Sequence, residues 1–543
     1  MRGVGEMPRP NRLNSGATYN PMRRLSIFQI PKISLNMAIP HHNPIIPGFA
    51  ADPSICLIDG TFYLVNSSFH LYPGLPIYMS NDLISWKHIG NAINRPSQLS
   101  LSRATTFIGP LDDGIELVAT GGLYAPTIRH HNGVTYIICT NVIHGTSNVL
   151  GDEHSEQFII HTADIRSGKW SDPIVFIFPG IDPSLLFDDD GRVYIQLCKT
   201  GPEFQIYNSE IDITTGARIV EPALIWTGWK KGYTEGPHIY KKDGWYYLLC
   251  AEGGTFEYHM LSMARSRNIW GPYESYEMNP LYTAGGTDQY VQNTGHGDLF
   301  QDQNGTWWVI MLGVRMKEGR SIMGRETFLT SVDWPYDGWP TIQPITCDGN
   351  LEGNFKDEGQ DSLSAAPWVY LRDAKLDRYH MHDNRITLQA DPAEFTSAYE
   401  STTFVGQRQR KLEGAARVTV YKPQHSPSVR AGLAYYKDEH RFLTIGYDFH
   451  LQQVIFNGLN QAKSFSQSET QTVEFQDVIS FKIGYTETAL QFYFQVDETG
   501  WHDLATLDTS ILTDHDFTGP VIGIFAIGDD TEVGFRDFEI DAL

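Results

Sequence analysis

Asp182-Pro-Ser-Leu-Leu-Phe-Asp-Asp-Asp190-Gly191-Arg-Val-Tyr194-Ile195 combines an entry carboxylate, an apolar run, an Asp-Gly pair and a second run rich in aromatic residues. Four more copies follow the same plan. They are Asp52-Pro-Ser-Ile-Cys-Leu-Ile-Asp59-Gly60-Thr-Phe-Tyr63, Ala125-Pro-Thr-Ile-Arg-His-His-Asn132-Gly133-Val-Thr-Tyr136, Glu235-Gly-Pro-His-Ile-Tyr-Lys-Lys-Asp243-Gly244-Trp-Tyr-Tyr247 and His296-Gly-Asp-Leu-Phe-Gln-Asp-Gln-Asn304-Gly305-Thr-Trp-Trp308. Asp-Gly or Asn-Gly between apolar runs signals a type I′ hairpin, because these residues accept the positive φ of a tight β-turn. The pairs begin at residues 59, 132, 190, 243 and 304, and each interval is long enough for a four-stranded antiparallel sheet. That repeat predicts an all-β fold that opens with a five-bladed β-propeller over residues 41–340. Cys139, Cys198 and Cys250 follow their turns at nearly equal distances, which puts them in second strands as packing residues.

Working outward, Trp334-Pro-Tyr-Asp-Gly-Trp339-Pro closes the repeat region, and a Gly/Asp/Ser-rich stretch predicts a linker over 341–366. Short alternating runs follow, such as Ala416-Arg-Val-Thr-Val-Tyr421 and Leu490-Gln-Phe-Tyr-Phe-Gln-Val496. They predict a β-sandwich domain of jelly-roll type over 367–543. At the other end, residues 1–40 carry six Lys/Arg against one acid, Glu6, with no clear period. They read as a disordered basic extension, and Met37 offers an alternative start. The apolar piece Leu25 to Ile39 is broken by Gln29, Pro31, Lys32 and Asn36 and makes no convincing signal segment, so an intracellular location is expected, with secretion left open.

Composition narrows the ligand class. Of 543 residues, 41% are hydrophobic and 19% charged, as in ordinary globular proteins. A net charge of −23 repels phosphate backbones and anionic lipid, so neither nucleic acid nor a membrane surface is an expected partner. The five cysteines are odd in number and include no Cys-x-x-Cys pair, so neither a disulfide framework nor a zinc site is indicated. Neutral ligands fit better.

In a propeller the innermost strands line the central channel, so the residues opening the five copies converge there: Asp52, Tyr124-Ala125, Asp182, Glu235 and His296. Carboxylates gathered on one axis raise one another's pKa, which lets a protonated acid stand beside an ionised base. Glycosidic-bond hydrolysis needs that pair, one group protonating the leaving oxygen and the other activating water. Two other readings stay open: Asp before Pro commonly caps turns, and three carboxylates with His296 are donors suited to calcium.

The motifs Asn43-Pro-Ile-Ile-Pro-Gly-Phe-Ala-Ala-Asp52-Pro-Ser, Gly180-Ile-Asp182-Pro-Ser-Leu, Thr234-Glu235-Gly-Pro-His, Asn293-Thr-Gly-His296-Gly and Gly324-Arg325-Glu-Thr-Phe328 resemble those of glycoside hydrolase family 43. The resemblance spans about residues 42 to 543 and is to the β-xylosidase/α-L-arabinofuranosidase members with a C-terminal concanavalin-like sandwich. It implies an inverting, exo-acting hydrolase that releases xylose from the non-reducing end of xylo-oligosaccharides, with α-L-arabinofuranosidase activity as companion or alternative on arabinoxylan-derived substrates. A non-catalytic carbohydrate-binding propeller is a minor alternative, and it conflicts with the presence of all three carboxylates. By motif match Asp52 is the general base, Glu235 the general acid and Asp182 the group that tunes the acid. Phe69, Tyr124, Ala125, Arg325 and Phe517 match substrate-binding positions, Phe517 reaching over the pocket from the sandwich. The resemblance requires no cofactor. His296 matches an axial histidine that binds water or a divalent cation such as calcium, which leaves a channel metal and a satisfied polar histidine both open. Self-association into a homo-oligomer is likewise open. The chain departs from the family in having Tyr124 where Trp is common, Ala51 before Asp52, and a longer segment from Thr105 to Thr120 beside the cleft.

Overall fold

Three of the five glycine turns are two-residue loops with both residues at positive φ: Asp59-Gly60 (46° and 82°), Asn132-Gly133 (50° and 78°) and Asp243-Gly244 (52° and 74°). The other two depart from the type I′ expectation. Phe187 pairs with Val193 and Gln301 with Trp307, so each hairpin closes over five residues. An aspartate side chain caps each longer loop, Asp190 Oδ1 accepting from the Arg192 N–H in one and Asp302 in the other. Asp302 Oδ1 accepts from the N–H groups of Asn304 and Thr306, and the carbonyls of Asp188 and Asp302 accept from Gly191 and Gly305. A side chain that captures backbone donors offers the chain a longer loop than the tight turn.

The computed structural model describes residues 42–111, 114–145, 154–201, 203–230, 232–347, 354–356, 367–382, 385–423, 428–497 and 499–542. The expected basic extension 1–40 and linker residues 348–353 and 357–366 lie outside them. Among the described residues regular structure is β-strand, with four short 3-10 turns and no α-helix. None of the helical segments there is long and apolar enough to cross a membrane. Five antiparallel sheets follow one another along the chain, one for each copy of the repeat. Their innermost strands are Ser54–Ile58, Thr127–His131, Ile181–Phe187, Glu235–Lys242 and Val291–Gln301. Each touches the next and the last touches the first, closing the ring of a β-propeller.

On the axis one polar network takes a residue from every innermost strand. Arg129 donates from Nη1 and Nη2 to the two carboxylate oxygens of Asp298 at 2.7 and 3.2 Å, and from Nη2 to His238 Nδ1 at 3.0 Å. Ser54 Oγ and Tyr240 Oη each donate to Asp298 at 2.7 Å, and Ser184 Oγ stands 3.0 Å from His238 Nδ1. Burial alone would raise the Asp298 carboxyl, but the Arg129 guanidinium and the Ser54 hydroxyl hold it well below the ordinary range. Burial drives His238 down to about 3, so it accepts as a neutral ring.

The C-terminal domain is a sandwich of an eight-stranded and a seven-stranded sheet around an aliphatic and aromatic core. It is stitched to the propeller. Propeller residues Leu71–Tyr72 pair with Val369–Leu371 and form the edge strand of the eight-stranded sheet, while Asn354–Lys356 run parallel to Ser85–Ile93 at the rim of the first propeller sheet. Phe49, Phe69 and Leu71 from the propeller share one buried cluster with Phe395, Phe404, Tyr436 and Phe525 from the sandwich. Each such buried side chain contributes about 1.5–3 kcal/mol. All five cysteines are free, and Cys56, Cys139, Cys198 and Cys250 are buried, as packing residues should be.

Because Arg129 and Asp298 lie out of bulk water, removing one partner strands the other's charge. Asp298→Ala is expected to destabilise the full chain by about 3–5 kcal/mol, against about 1 kcal/mol for Ser54→Ala, which removes a single hydroxyl. Urea unfolding of the two variants side by side measures the difference, and equal losses would show that the ion pair does not anchor the axis.

Candidate active site

Two residues ahead of Ser54, Ser184, His238 and Asp298 lie Asp52, Asp182, Gly236 and His296, and all four have positive φ, at 51°, 55°, 56° and 44°. On the second innermost strand Ala125 lies four residues ahead of Arg129. Glu235 is therefore offset by one residue from the alignment that the repeats suggest, which had matched it directly to Asp52 and Asp182. The offset lies in the motif, where Gly236 separates Glu235 from Pro237 while Asp52 and Asp182 directly precede proline; the pairing irregularity between Glu235 and His238 repeats the one between Ile181 and Ser184. The offset also gives Gly236 a purpose: a Cβ there would come within 3.0–3.2 Å of the His296 ring, so only glycine leaves the histidine its place.

Asp52 is 5% exposed and fully engaged. Ser67 Oγ donates to its Oδ2 at 2.6 Å, Arg325 Nη1 donates to Oδ1 at 3.0 Å, and His296 Nδ1 stands 3.8 Å from Oδ1. Burial would raise this carboxyl, yet Arg325, His296 and Ser67 outweigh it and hold Asp52 below the usual carboxylate range. Asp182 accepts from the Gly236 N–H at 3.1 Å. Burial, opposed by His296 and reinforced by the Asp52 charge, leaves its carboxyl above the ordinary range.

Glu235 contrasts with both. Among the described residues no group hydrogen-bonds its carboxyl, and burial, then the charges of Asp182 and Asp52, push it well above the usual range, with Arg325 as the opposing cation. The site thus sets one carboxyl group held low and another pushed high on one axis. That arrangement can donate a proton to one oxygen of a ligand while drawing a proton from another.

Arg325 connects the carboxylates to the pocket wall. Nη1 donates to Asp52 and, at 3.2 Å, to Thr255 Oγ1; Nε and Nη2 donate to the Phe517 carbonyl at 3.1 and 3.0 Å. Four of its five N–H groups are thereby taken, and one on Nη2 is left for a ligand. Its guanidinium carbon lies 5.4 Å from the Phe69 ring centroid and 5.3 Å from that of Phe517, in cation–π range of both. Phe69, expected to line the pocket, is 1% exposed and serves chiefly as the ring behind Arg325. Tyr124 packs 5.0 Å from Phe69 and 6.0 Å, edge-on, from Phe517, so the partly exposed wall consists of Tyr124 and Phe517. Ala125 is buried beneath them.

Ser67, Thr255 and the Gly236 N–H were not anticipated. Ser67 had a signal: extending the pairing Ser54 with Val65 outward from the Asp59-Gly60 turn sets residue 67 opposite residue 52. Thr255 lies on a loop that no pairing rule reaches. A cation has no ready donor set, because among the described residues no three His, Cys, Asp or Glu side chains gather as metal ligands and Asp298 is occupied by Arg129.

The profile of glycosyl hydrolases family 43 matches residues 41–340, and that of the beta xylosidase C-terminal concanavalin A-like domain matches residues 360–540. A xylosidase/arabinosidase of Butyrivibrio fibrisolvens is 43% identical over 317 residues, a match that spans 56% of this chain and 56% of that relative, little more than half its length. A non-reducing end alpha-L-arabinofuranosidase of Bacteroides ovatus is 33% identical over 413 residues, covering 73% of this chain and 74% of the relative. The crystal structure of a xylan beta-1,4-xylosidase from Bacillus halodurans superposes with a TM-score of 0.79 at 28% identity, over 92% of this chain and 100% of that one.

After burial, the Asp182 charge is the largest cause of the Glu235 elevation. Asp182→Asn is therefore expected to move the Glu235 titration to lower pH, since removing a negative neighbour makes ionisation easier. Carbon-13 NMR of labelled glutamate carboxyls measures it, and an unmoved titration would make Asp182 a purely structural residue.

Proposed function

The chain belongs to family 43 of the glycosyl hydrolases, and on that premise we propose that it is an inverting, exo-acting glycosidase that releases a terminal pentose from short xylo-oligosaccharides or arabinoxylan fragments. The observation that carries the reading is the divergence of two carboxyl groups on one axis, Asp52 held down and Glu235 pushed up. Glu235, its carboxyl pushed well above the usual range, donates its proton to the glycosidic oxygen as the bond to the anomeric carbon breaks. Asp52 takes a proton from the water that attacks that carbon on the opposite face. The released sugar has the inverted anomeric configuration, and Glu235 then regains a proton from solvent. Asp182 keeps the acid protonated between turnovers. The free N–H of Arg325 is suited to a sugar hydroxyl, and the Tyr124 and Phe517 rings to the apolar face of a pyranose or furanose.

The choice of pentose rests on the relatives. One is named a xylosidase/arabinosidase and another an arabinofuranosidase, which supports activity on both β-D-xylosides and α-L-arabinofuranosides. Hydrolysis of the two 4-nitrophenyl glycosides, with NMR of the first-formed anomer from xylobiose, tests substrate and stereochemistry together. A retained anomer would overturn the mechanism, and cleavage of the arabinoside alone would move the substrate to arabinose side chains.

The two carboxyl roles separate by leaving group. Glu235→Ala is expected to lose about 10²–10⁴-fold in kcat/KM on xylobiose but far less on 4-nitrophenyl xyloside, whose phenolate leaves without a proton. Asp52→Ala should lose about as much on both, since water must be activated in either case. The reverse pattern would exchange the roles.

A divalent cation near His296 would be held through water rather than by side-chain ligands, and no step above is routed through one. Dialysis against EDTA is accordingly expected to leave kcat on xylobiose within about twofold, and loss of turnover restored by calcium would establish a metal requirement.

A further inference from the structure

The sugar-binding arginine is held from the propeller side by Asp52 and Thr255 and from the sandwich side by a single main-chain carbonyl, that of Phe517. That carbonyl sits in a segment pinned on every flank. One residue before it, the buried Asp516 carboxylate accepts from Lys437 Nζ and Arg441 Nη1, both of them buried, and Lys437 also donates to the Leu512 carbonyl at 3.0 Å. Arg441 is fixed in turn by Asp438 and Asp514. One residue after it, Thr518 Oγ1 lies 3.4 Å from both Arg441 Nη2 and the Lys437 carbonyl.

The longer second-blade segment supplies the next restraint. It folds into the hairpin Thr106–Pro110 and Glu116–Thr120, whose second strand runs parallel to His515–Asp516, with Leu117 opposite His515 and Val118 opposite Asp516. The hairpin is itself tied to the sandwich, because the Thr106 N–H and Oγ1 donate to the buried Glu439 carboxylate at 2.6 and 3.0 Å. Phe107, Leu117 and Ala119 then pack with Phe256 and Phe517. The last restraint is glycine on glycine. A Cβ on Gly324, at φ +72°, would meet Gly519 Cα at 2.6 Å, and one on Gly519 would meet the Met323 carbonyl oxygen at 2.7 Å. The peptides beside Arg325 therefore rest directly on the peptides beside Phe517.

We propose that Asp516, Lys437, Arg441 and Gly519 are positioning residues for the reaction: they fix the Phe517 carbonyl, which fixes the Arg325 guanidinium on Asp52 and aims its remaining N–H at the sugar. The sandwich acts on catalysis through this carbonyl as well as through the Phe517 ring. The inference rests on the roles assigned above to Asp52 and Arg325. Its specific consequence is that a disturbance confined to the sandwich is read out at a propeller carboxylate. The charged and titratable groups around Asp52 are Arg325, His296, His259, Asp182 and Glu235, and of these only Arg325 is bonded to the 515–519 segment.

The test uses the full chain with Gly519→Ala, which lifts the segment off Met323 and Gly324, and Lys437→Gln, which removes one anchor of Asp516. Ile483→Val, a cavity variant in the sandwich core, is the control for stability alone. In both positioning variants the Asp52 titration, followed by carbon-13 NMR of labelled aspartate carboxyls, should move to higher pH as Arg325 retreats. The value of kcat/KM for the xyloside should fall about tenfold, chiefly through KM. Ile483→Val should lower Tm and move neither. Folded positioning variants with the parental Asp52 titration and KM would overturn the proposal. The titration needs no turnover, so a parent that cleaved no glycoside would strike the proposed function while leaving this coupling to be judged by NMR.

Discussion

The ion pair between Arg129 and Asp298 is the constraint on which the site depends. Five sheets that meet only at an axis have no backbone hydrogen bonds between neighbouring innermost strands to set their relative heights. Side-chain packing alone would let one sheet slide against the next. Here Ser54, Arg129, Ser184, His238 and Asp298, one from each innermost strand, converge in a network whose centre is a two-pronged guanidinium–carboxylate contact. Such a contact fixes direction as well as distance. Asp52, Asp182, Gly236 and His296 each lie two residues along the chain from a network member, so a short backbone link ties each to Ser54, Ser184, His238 or Asp298. The site's carboxyl groups are thereby tied to a floor held by that ion pair.

The same geometry explains how two carboxyl groups that share neighbours are shifted in opposite directions. Both are surrounded by low-dielectric protein, and both feel Asp182. What separates them is who can reach them. Asp52 lies in phase with the floor, where the Ser67 hydroxyl and the Arg325 guanidinium meet it directly. Glu235 lies one residue out of phase, beside a bulge, and reaches the axis from a place that only the charges of its neighbours touch. The glycine that follows it then serves twice, leaving room for the His296 ring and donating its N–H to Asp182. A shift of one residue along the strand therefore leaves Glu235 without the hydrogen bonds that hold Asp52 low.

How much of this was legible in the chain follows from the range of each cue. Asp-Gly and Asn-Gly are local cues, since positive φ is a property of the residues themselves, and they located every hairpin, although two of the loops, capped by Asp190 and Asp302, are longer. The carboxylates were legible because the repeat carries them to a common axis. The phase of Glu235 was written in the chain as well, in the Gly236 that separates it from Pro237, but aligning the copies on their carboxylates rather than on their prolines passed over it. Ser67 could have been found by counting across the first hairpin, whereas Thr255 and Gly519 sit on loops whose partners come from distant parts of the chain. The segment Thr105 to Thr120 was recognisable as extra length beside the cleft, but its parallel pairing with His515–Asp516 crosses nearly 400 residues of chain, and no local pattern carries such a pairing.

The two domains are best regarded as one catalytic body, and the reason is where the polar groups lie. A sandwich that merely rested on the propeller would meet it through apolar surface, as the cluster around Phe49, Phe69 and Phe525 does. This one also places Glu439, Lys437, Asp438, Arg441 and Asp516 out of water, next to the strand and hairpin that the propeller contributes. Buried charges of this kind add little net stability compared with well-packed apolar residues, because desolvation cancels much of their attraction. What they provide is direction: each carboxylate accepts only where a donor is aimed. The cluster ends at Asp516, one peptide from the carbonyl that holds Arg325, and so the orientation it imposes is delivered to the group that donates to Asp52.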